Sequence, residues 1–137
     1  MSGIEYLELE DVGESVRILG GGPIRDAGML DCAVHRPRSN TFGEDPYGTV
    51  GLKVAALLHS MTENRTLVDG NQRLAWLSTV VFCDLNGVTP RLVDDEASQL
   101  EGDIAGSDLG IDQIAARLRL DEGVRRPDNL EGTRRST

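Results

Sequence analysis

Apolar residues recur along this chain at helical spacing, and nowhere do they alternate over a convincing strand length. Val12, Val16 and Leu19 are spaced by four and then three, which predicts a first helix over residues 10–19 that Gly20-Gly21-Gly22-Pro23 breaks. Asp26 is placed to cap a second helix with Met29, Leu30, Ala33 and Val34 on one face. Arg36-Pro37 ends it, because the ring of a proline disfavours helical geometry in the residue before it. Asn40, Gly43, Pro46 and Gly48 mark a loop, with a short hairpin as the one strand-like option. A long helix over residues 49–63 carries Val50, Val54, Ala55, Leu57, Leu58 and Met61 on more than one side, the pattern of a central, buried helix. A second such helix runs from Asn71 to about Asn86 through Leu74, Trp76, Leu77, Val80, Val81, Phe82 and Leu85, and Asn86-Gly87 stops it. Asp94-Asp95-Glu96 opens a fifth helix with acids in the turn where the helix dipole favours them, and residues 111–120 make a sixth. The pattern predicts an all-α fold: a compact bundle of about six helices around two central ones, with a flap loop or hairpin near residues 38–48.

Composition narrows the function classes. A chain of 137 residues is the length of one domain. With 14 Lys+Arg against 23 Asp+Glu the formal charge is −9, which disfavours duplex nucleic acid, whose phosphates need a basic face, and disfavours polybasic membrane binding. No apolar run reaches the roughly 18 residues of a spanning helix. Met1-Ser2-Gly3-Ile4-Glu5 lacks the charged-then-apolar layout of a signal peptide, so a cytoplasmic location is expected. Cys32 and Cys83 lie in unrelated contexts and read as two reduced thiols; with only two histidines they make no standard zinc set. Gly20-Gly21-Gly22-Pro23 lacks the Lys-Ser/Thr of a phosphate loop and reads as a plain loop.

The stretch with chemistry in it is the connector Asn64-Arg65-Thr66-Leu67-Val68-Asp69-Gly70-Asn71-Gln72-Arg73. An acid and a glycine stand where an apolar helix begins. Backbone N–H groups and the positive end of the helix dipole point into such a turn and accept an anion. Gly70 allows close approach of the backbone, Asn71 can donate to a phosphate oxygen, Arg73 can clamp a phosphate with paired donors, and Asp69 can hold a Mg²⁺ that bridges phosphates. The alternative at this level is purely structural: Asp69 and Asn71 cap the helix and Arg73 pairs with a surface carboxylate.

Beyond the connector, several segments resemble the Fic/Doc (Fido) family, and within it the death-on-curing toxins. They are Ile24-Arg25-Asp26-Ala27-Gly28-Met29-Leu30-Asp31, Arg36-Pro37-Arg38, Phe42-Gly43-Glu44-Asp45 with Tyr47, Lys53-Val54-Ala55-Ala56-Leu57-Leu58-His59-Ser60, Val68-Asp69-Gly70-Asn71-Gln72-Arg73-Leu74-Ala75-Trp76, and Phe82 to Gly87. The similarity spans residues 4–120, which implies one Fido domain over that range and a polar, flexible tail over 121–137. The resemblance implies a nucleotide site between the motif loop and the flap. It implies transfer of AMP or phosphate from ATP, with Mg²⁺, to a protein hydroxyl. For the death-on-curing toxins it implies elongation factor Tu as the target and an antitoxin that wraps or blocks the site. Carried over residue by residue, it places Arg65 and Asp69 at the catalytic positions, Asp69 on the metal, and Gly70, Asn71, Gln72 and Arg73 on the phosphates.

Two positions depart from the family motif H-x-(F/L)-x-D-G-N-(G/K)-R: Arg65 stands at the histidine and Gln72 at the lysine. A guanidinium stays protonated, with a pKa above about 12, and offers no acceptor lone pair. Arg65 therefore cannot take a proton from an attacking hydroxyl, and losing a positioned base costs about 10²–10⁴-fold in rate. Three explanations stay open: an inactivated toxin, a natural pseudoenzyme or binding module, or a diverged enzyme whose acceptor is an anionic small molecule that Arg65 orients. Among the remaining residues, His59 reads as a hydrogen-bonded core or near-site histidine and His35 as a helix-terminus residue. Trp76, Leu77 and Phe82 read as core. The acidic stretch 94–112 reads as a solvated face or a surface for a basic antitoxin segment. Ser98-Gln99-Leu100-Glu101-Gly102 misses by one position the inhibitory S/T-x-x-x-E pattern of some Fic proteins, so regulation is expected from another chain.

Overall fold

The computed structural model describes residues 4–20, 24–38, 47–64, 70–106 and 109–121. Within them the chain forms six α-helices: α1 (Leu9–Leu19), α2 (Ala27–His35), α3 (Val50–Glu63), α4 (Asn71–Leu85), α5 (Asp94–Gly106) and α6 (Ile111–Leu118). A 3₁₀ turn, Arg36–Arg38, follows α2, and an antiparallel β-bridge pairs Thr89 with Asp121. The all-α bundle expected from the periodicity is the observed architecture. Of the flap or hairpin expected near 38–48, residues 39–46 lie outside the described residues, as do residues 122–137 of the tail expected over 121–137; Asp121 is in the β-bridge.

Local chemistry sets the helix ends. Asp26 Oδ1 accepts from the Met29 N–H at 3.0 Å, and Thr49 Oγ1 accepts from the Leu52 N–H at 3.1 Å, so both side chains satisfy a donor that the first turn leaves open. Gly20, with φ 65°, closes α1 in the left-handed conformation. Arg119 adopts φ 50° after α6, and its guanidinium donates to the Arg91 carbonyl and to Glu96 Oε1, both at 2.8 Å. α6 thus stops at Leu118, two residues before the expected end.

α3 is the axis of the bundle: it packs against α2, the 3₁₀ turn, α4, α5 and α6. Val54 to Leu58 are all fully buried, so this helix is lined with core on every side, as its pattern predicts. α4 differs from the expectation of a second central helix. Its buried face is Leu74, Ala75, Ser78, Thr79, Phe82 and Cys83, whereas Trp76, Leu77, Val80 and Val81 are only half-buried and Leu85 is exposed. The helix has neighbours on one side, α3 and α1, and an open groove on the other. Thr79 is accommodated inside because its Oγ1 donates to the Ala75 carbonyl at 2.8 Å, which satisfies the hydroxyl within the helix. In α2, Leu30, Ala33 and Val34 face inward at i, i+3, i+4, and Met29, one position off that stripe, is exposed.

The N-terminal segment is tied to the end of α4. The Asn86 carboxamide accepts from the Glu5 N–H and donates to the Glu5 carbonyl, each at 2.9 Å, so one side chain substitutes for a strand partner. Tyr6 stacks near Phe82, and the Arg38 guanidinium lies 4.7 Å over the Tyr6 ring while donating to the Leu7 carbonyl at 3.0 Å. Lys53, only 4% exposed, donates to the Pro37 carbonyl at 3.2 Å. These bonds anchor the start of the 38–48 segment to the body of the fold.

Candidate functional site

α4 begins at a glycine because the chain turns there with φ 84°, ψ 12°, a left-handed conformation that costs a residue with a Cβ roughly 1–2 kcal/mol. Gly70 is the N-cap residue and has no side chain with which to cap the helix. The first bond of the helical ladder runs from the Leu74 N–H to the Gly70 carbonyl at 3.0 Å, so the N–H groups of Asn71, Gln72 and Arg73 precede the ladder and point out of the helix end. Leu74 and Ala75 are buried and fix this turn against α3, while Gln72 and Arg73 are exposed. The structure thus brings Gly70, Asn71, Gln72 and Arg73 together on one turn. Arg65 and Asp69, the two residues expected to carry catalysis and metal binding, fall on 65–69, outside the described residues.

Two cavities flank this turn. One, of about 270 Å³, is bounded by Thr62 at the end of α3, Asn71 and Gln72 at the start of α4, and Glu101, Gly102 and Ala105 of α5. The other is an open groove of about 440 Å³ between α4 and α5, with Trp76, Leu77, Val80 and Leu19 as its apolar floor and Arg73 and Asp94 among its polar residues. Glu101 lines both. The acidic stretch 94–112, expected as a solvated face, is divided: Ala97, Leu100, Glu101 and Ile104 turn inward at i, i+3, i+4, i+7, and Glu101 is only 4% exposed. Burial pushes its carboxyl up from the ordinary value to about 7, against the opposing effect of a hydrogen bond from the Gln72 side chain.

A third cluster lies on another face of α3. The Arg36 guanidinium donates from Nε to Tyr47 Oη at 3.0 Å and from Nη1 to His59 Nδ1 at 2.8 Å and Ser60 Oγ at 2.9 Å. Burial and the Arg36 charge hold His59 below the ordinary imidazole range, with Glu63 pulling the other way, so Nδ1 is the acceptor and the ring is neutral at pH 7. His59 is hydrogen-bonded, as expected of it, and half-buried. Its partner Arg36 was legible as the helix-ending residue and as part of the Arg36-Pro37-Arg38 segment, not as a hydrogen-bond partner of His59. Cys83 is buried and its thiol is pushed up to about 12 by burial and by Asp84, whereas Cys32 is exposed.

A helix N-terminus opened by a left-handed glycine and followed by amide and guanidinium side chains offers N–H donors that can chemically accept an anion. No family model matches the sequence. Toxin Doc of Mycolicibacterium smegmatis is 42% identical to this chain over 118 residues, which covers 83% of this chain and 91% of that protein. The chain belongs to the Doc toxin family. No helix among the described residues is long and apolar enough to cross a membrane.

Proposed function

We propose that the protein is the toxin of a toxin–antitoxin pair whose α4 N-terminus binds Mg-ATP, and that its ancestral reaction moves phosphate or AMP onto a protein hydroxyl. The observation that carries this reading is the glycine-opened start of α4 with Arg73 in its first turn, on a chain with a Doc toxin relative along most of its length. The residues present fit a polyphosphate. Gly70 carries no side chain to hold a phosphate oxygen away from the backbone, and the N–H groups of Asn71, Gln72 and Arg73 precede the helical ladder. Arg73 supplies a bidentate guanidinium. Asp69 is the residue assigned to Mg²⁺, an oxygen-seeking cation. When bound, ATP supplies the transferred group. A translation factor such as elongation factor Tu is the protein acceptor in this reading, and an antitoxin covers the site.

Arg65 stands where the reaction needs a proton acceptor. A guanidinium has no lone pair to give, so this chain is severely impaired toward Ser, Thr or Tyr hydroxyls. Gln72 removes a phosphate-directed charge and retains a hydrogen-bonding amide. The test compares the natural chain with Arg65→His in growth arrest on expression and in labelling of elongation factor Tu by radiolabelled ATP. The expected result is arrest and labelling with Arg65→His and at least about 10²-fold less labelling with the natural chain. Equal labelling by the two proteins would refute the assignment of Arg65.

A further inference from the structure

We propose that the cavity enclosed by the last turn of α3, the first turn of α4 and the middle of α5 is a binding site for a guanidinium group, with Glu101 and Thr62 as its acceptors. The inference does not depend on the nucleotide reading. It starts from two buried oxygens: Glu101 Oε2 and Thr62 Oγ1 have no hydrogen-bond partner, and both residues line this cavity. Buried polar side-chain atoms are nearly always partnered, and two orphans on one cavity wall point to a donor that enters from outside the fold.

The chemistry of that donor follows from the walls. Asn71, Gln72, Gly102 and Ala105 complete the described lining, so among the described residues Glu101 is the one ionisable group there and no cationic side chain lines the cavity. The Gln72 amide satisfies the carboxyl in part, as a neutral group. A ligand that brings one positive charge and several N–H donors in a plane matches a carboxylate oxygen and a hydroxyl side by side, which is what a guanidinium presents. The volume, about 270 Å³, exceeds the roughly 30 Å³ share of one water and admits a guanidinium with part of its alkyl stem. A divalent cation is the competitor. It seeks six or more oxygens, usually with more than one carboxylate when the protein supplies the cage, and among the described residues lining this cavity Glu101 is the one carboxylate.

The source is either a free small guanidine or an arginine side chain of another protein, and the experiment separates them. The full-length ¹⁵N-labelled protein is titrated with methylguanidinium chloride, with N-acetyl-arginine methylamide, with MgCl₂, and with NaCl at matched ionic strength, following the amides of Thr62, Gln72, Glu101 and Gly102. Saturable shifts confined to these amides with methylguanidinium, absent with NaCl, are expected, and Glu101→Gln should weaken them at least tenfold. Thr62→Val leaves the carboxylate in place and should weaken binding about threefold, which guards against a Glu101 variant that rearranges the cavity. Binding of both guanidines supports a partner's arginine, and binding of methylguanidinium alone supports a free small ligand. Linear shifts without saturation, shifts unchanged in Glu101→Gln, or saturation by Mg²⁺ at lower concentration than by either guanidine would overturn the proposal.

Discussion

Two charged side chains beside the C-terminal half of α3 have opposite fates. On one face Arg36 is surrounded: Tyr47, His59 and Ser60 each accept from it, and its charge reinforces the neutral state of the histidine it holds. On another face Glu101 is under-served: it is more deeply buried than the half-buried Arg36, meets one neutral amide, and keeps an oxygen without a partner beside the likewise unpartnered Thr62 hydroxyl. A satisfied cluster fixes one geometry, and here it pins Tyr47, just beyond the 39–46 segment, to the core helix. An unsatisfied one sacrifices stability at a place where a ligand can restore it. The difference separates the part of the molecule that holds the site in shape from the part that is open to binding.

The largest expected effect comes from Arg36→Ala. It removes three hydrogen bonds from a charged donor and strands the buried Ser60 hydroxyl, so urea unfolding at pH 7.5 should show a loss of about 3 kcal/mol. A loss below about 1 kcal/mol would mean that the cluster is ornamental. Glu101→Gln should act in the other direction. The folded carboxyl titrates near 7 and the unfolded one near 4.5, so the folded state holds the extra proton and stability falls as pH rises from about 4.5 to 7. The glutamine variant escapes that loss: it should match the natural chain at pH 4 and exceed it at pH 8, by at most about 3 kcal/mol. A variant less stable than the natural chain at pH 8 would show that Glu101 has a partner after all. The smallest effect belongs to His59. Its pKa is lowered by folding, so stability is lost as pH falls below the ordinary imidazole value of about 6.5, where the unfolded chain takes up a proton that the folded ring resists. His59→Gln keeps an acceptor for Arg36 and should remove that slope from a plot of unfolding free energy against pH. An unchanged slope would assign it to another group.

Helices were legible where apolar spacing, caps and stop residues coincide. α3 is read correctly to within one residue because Thr49 caps it, five consecutive residues from Val54 to Leu58 are core, and the Asn64 connector ends it. α4 reads less well. Its apolar residues cover several faces in sequence, yet Trp76, Leu77 and Val80 border a groove, since spacing says which residues share a face and not whether a neighbour covers it. Glu101 shows the converse. In a run of acids it looks like solvent-facing charge, and only its register with Ala97, Leu100 and Ile104 betrays burial. The start of α4 was visible because Asp69-Gly70-Asn71 couples a glycine to a helix beginning, and the positive φ at Gly70 accords with it. Arg36 and His59 are 23 residues apart, and nothing local in either segment announces that they meet.

The role proposed for the first turn of α4 is that of a receptor for polyphosphate. Calorimetric titration of Mg-ATP into the natural chain and into Arg73→Ala tests it most directly, because binding does not require the missing proton acceptor. Saturable binding by the natural chain, weakened about tenfold or more in the variant, is the predicted result. Absence of heat, or an affinity indifferent to residue 73, would contradict it.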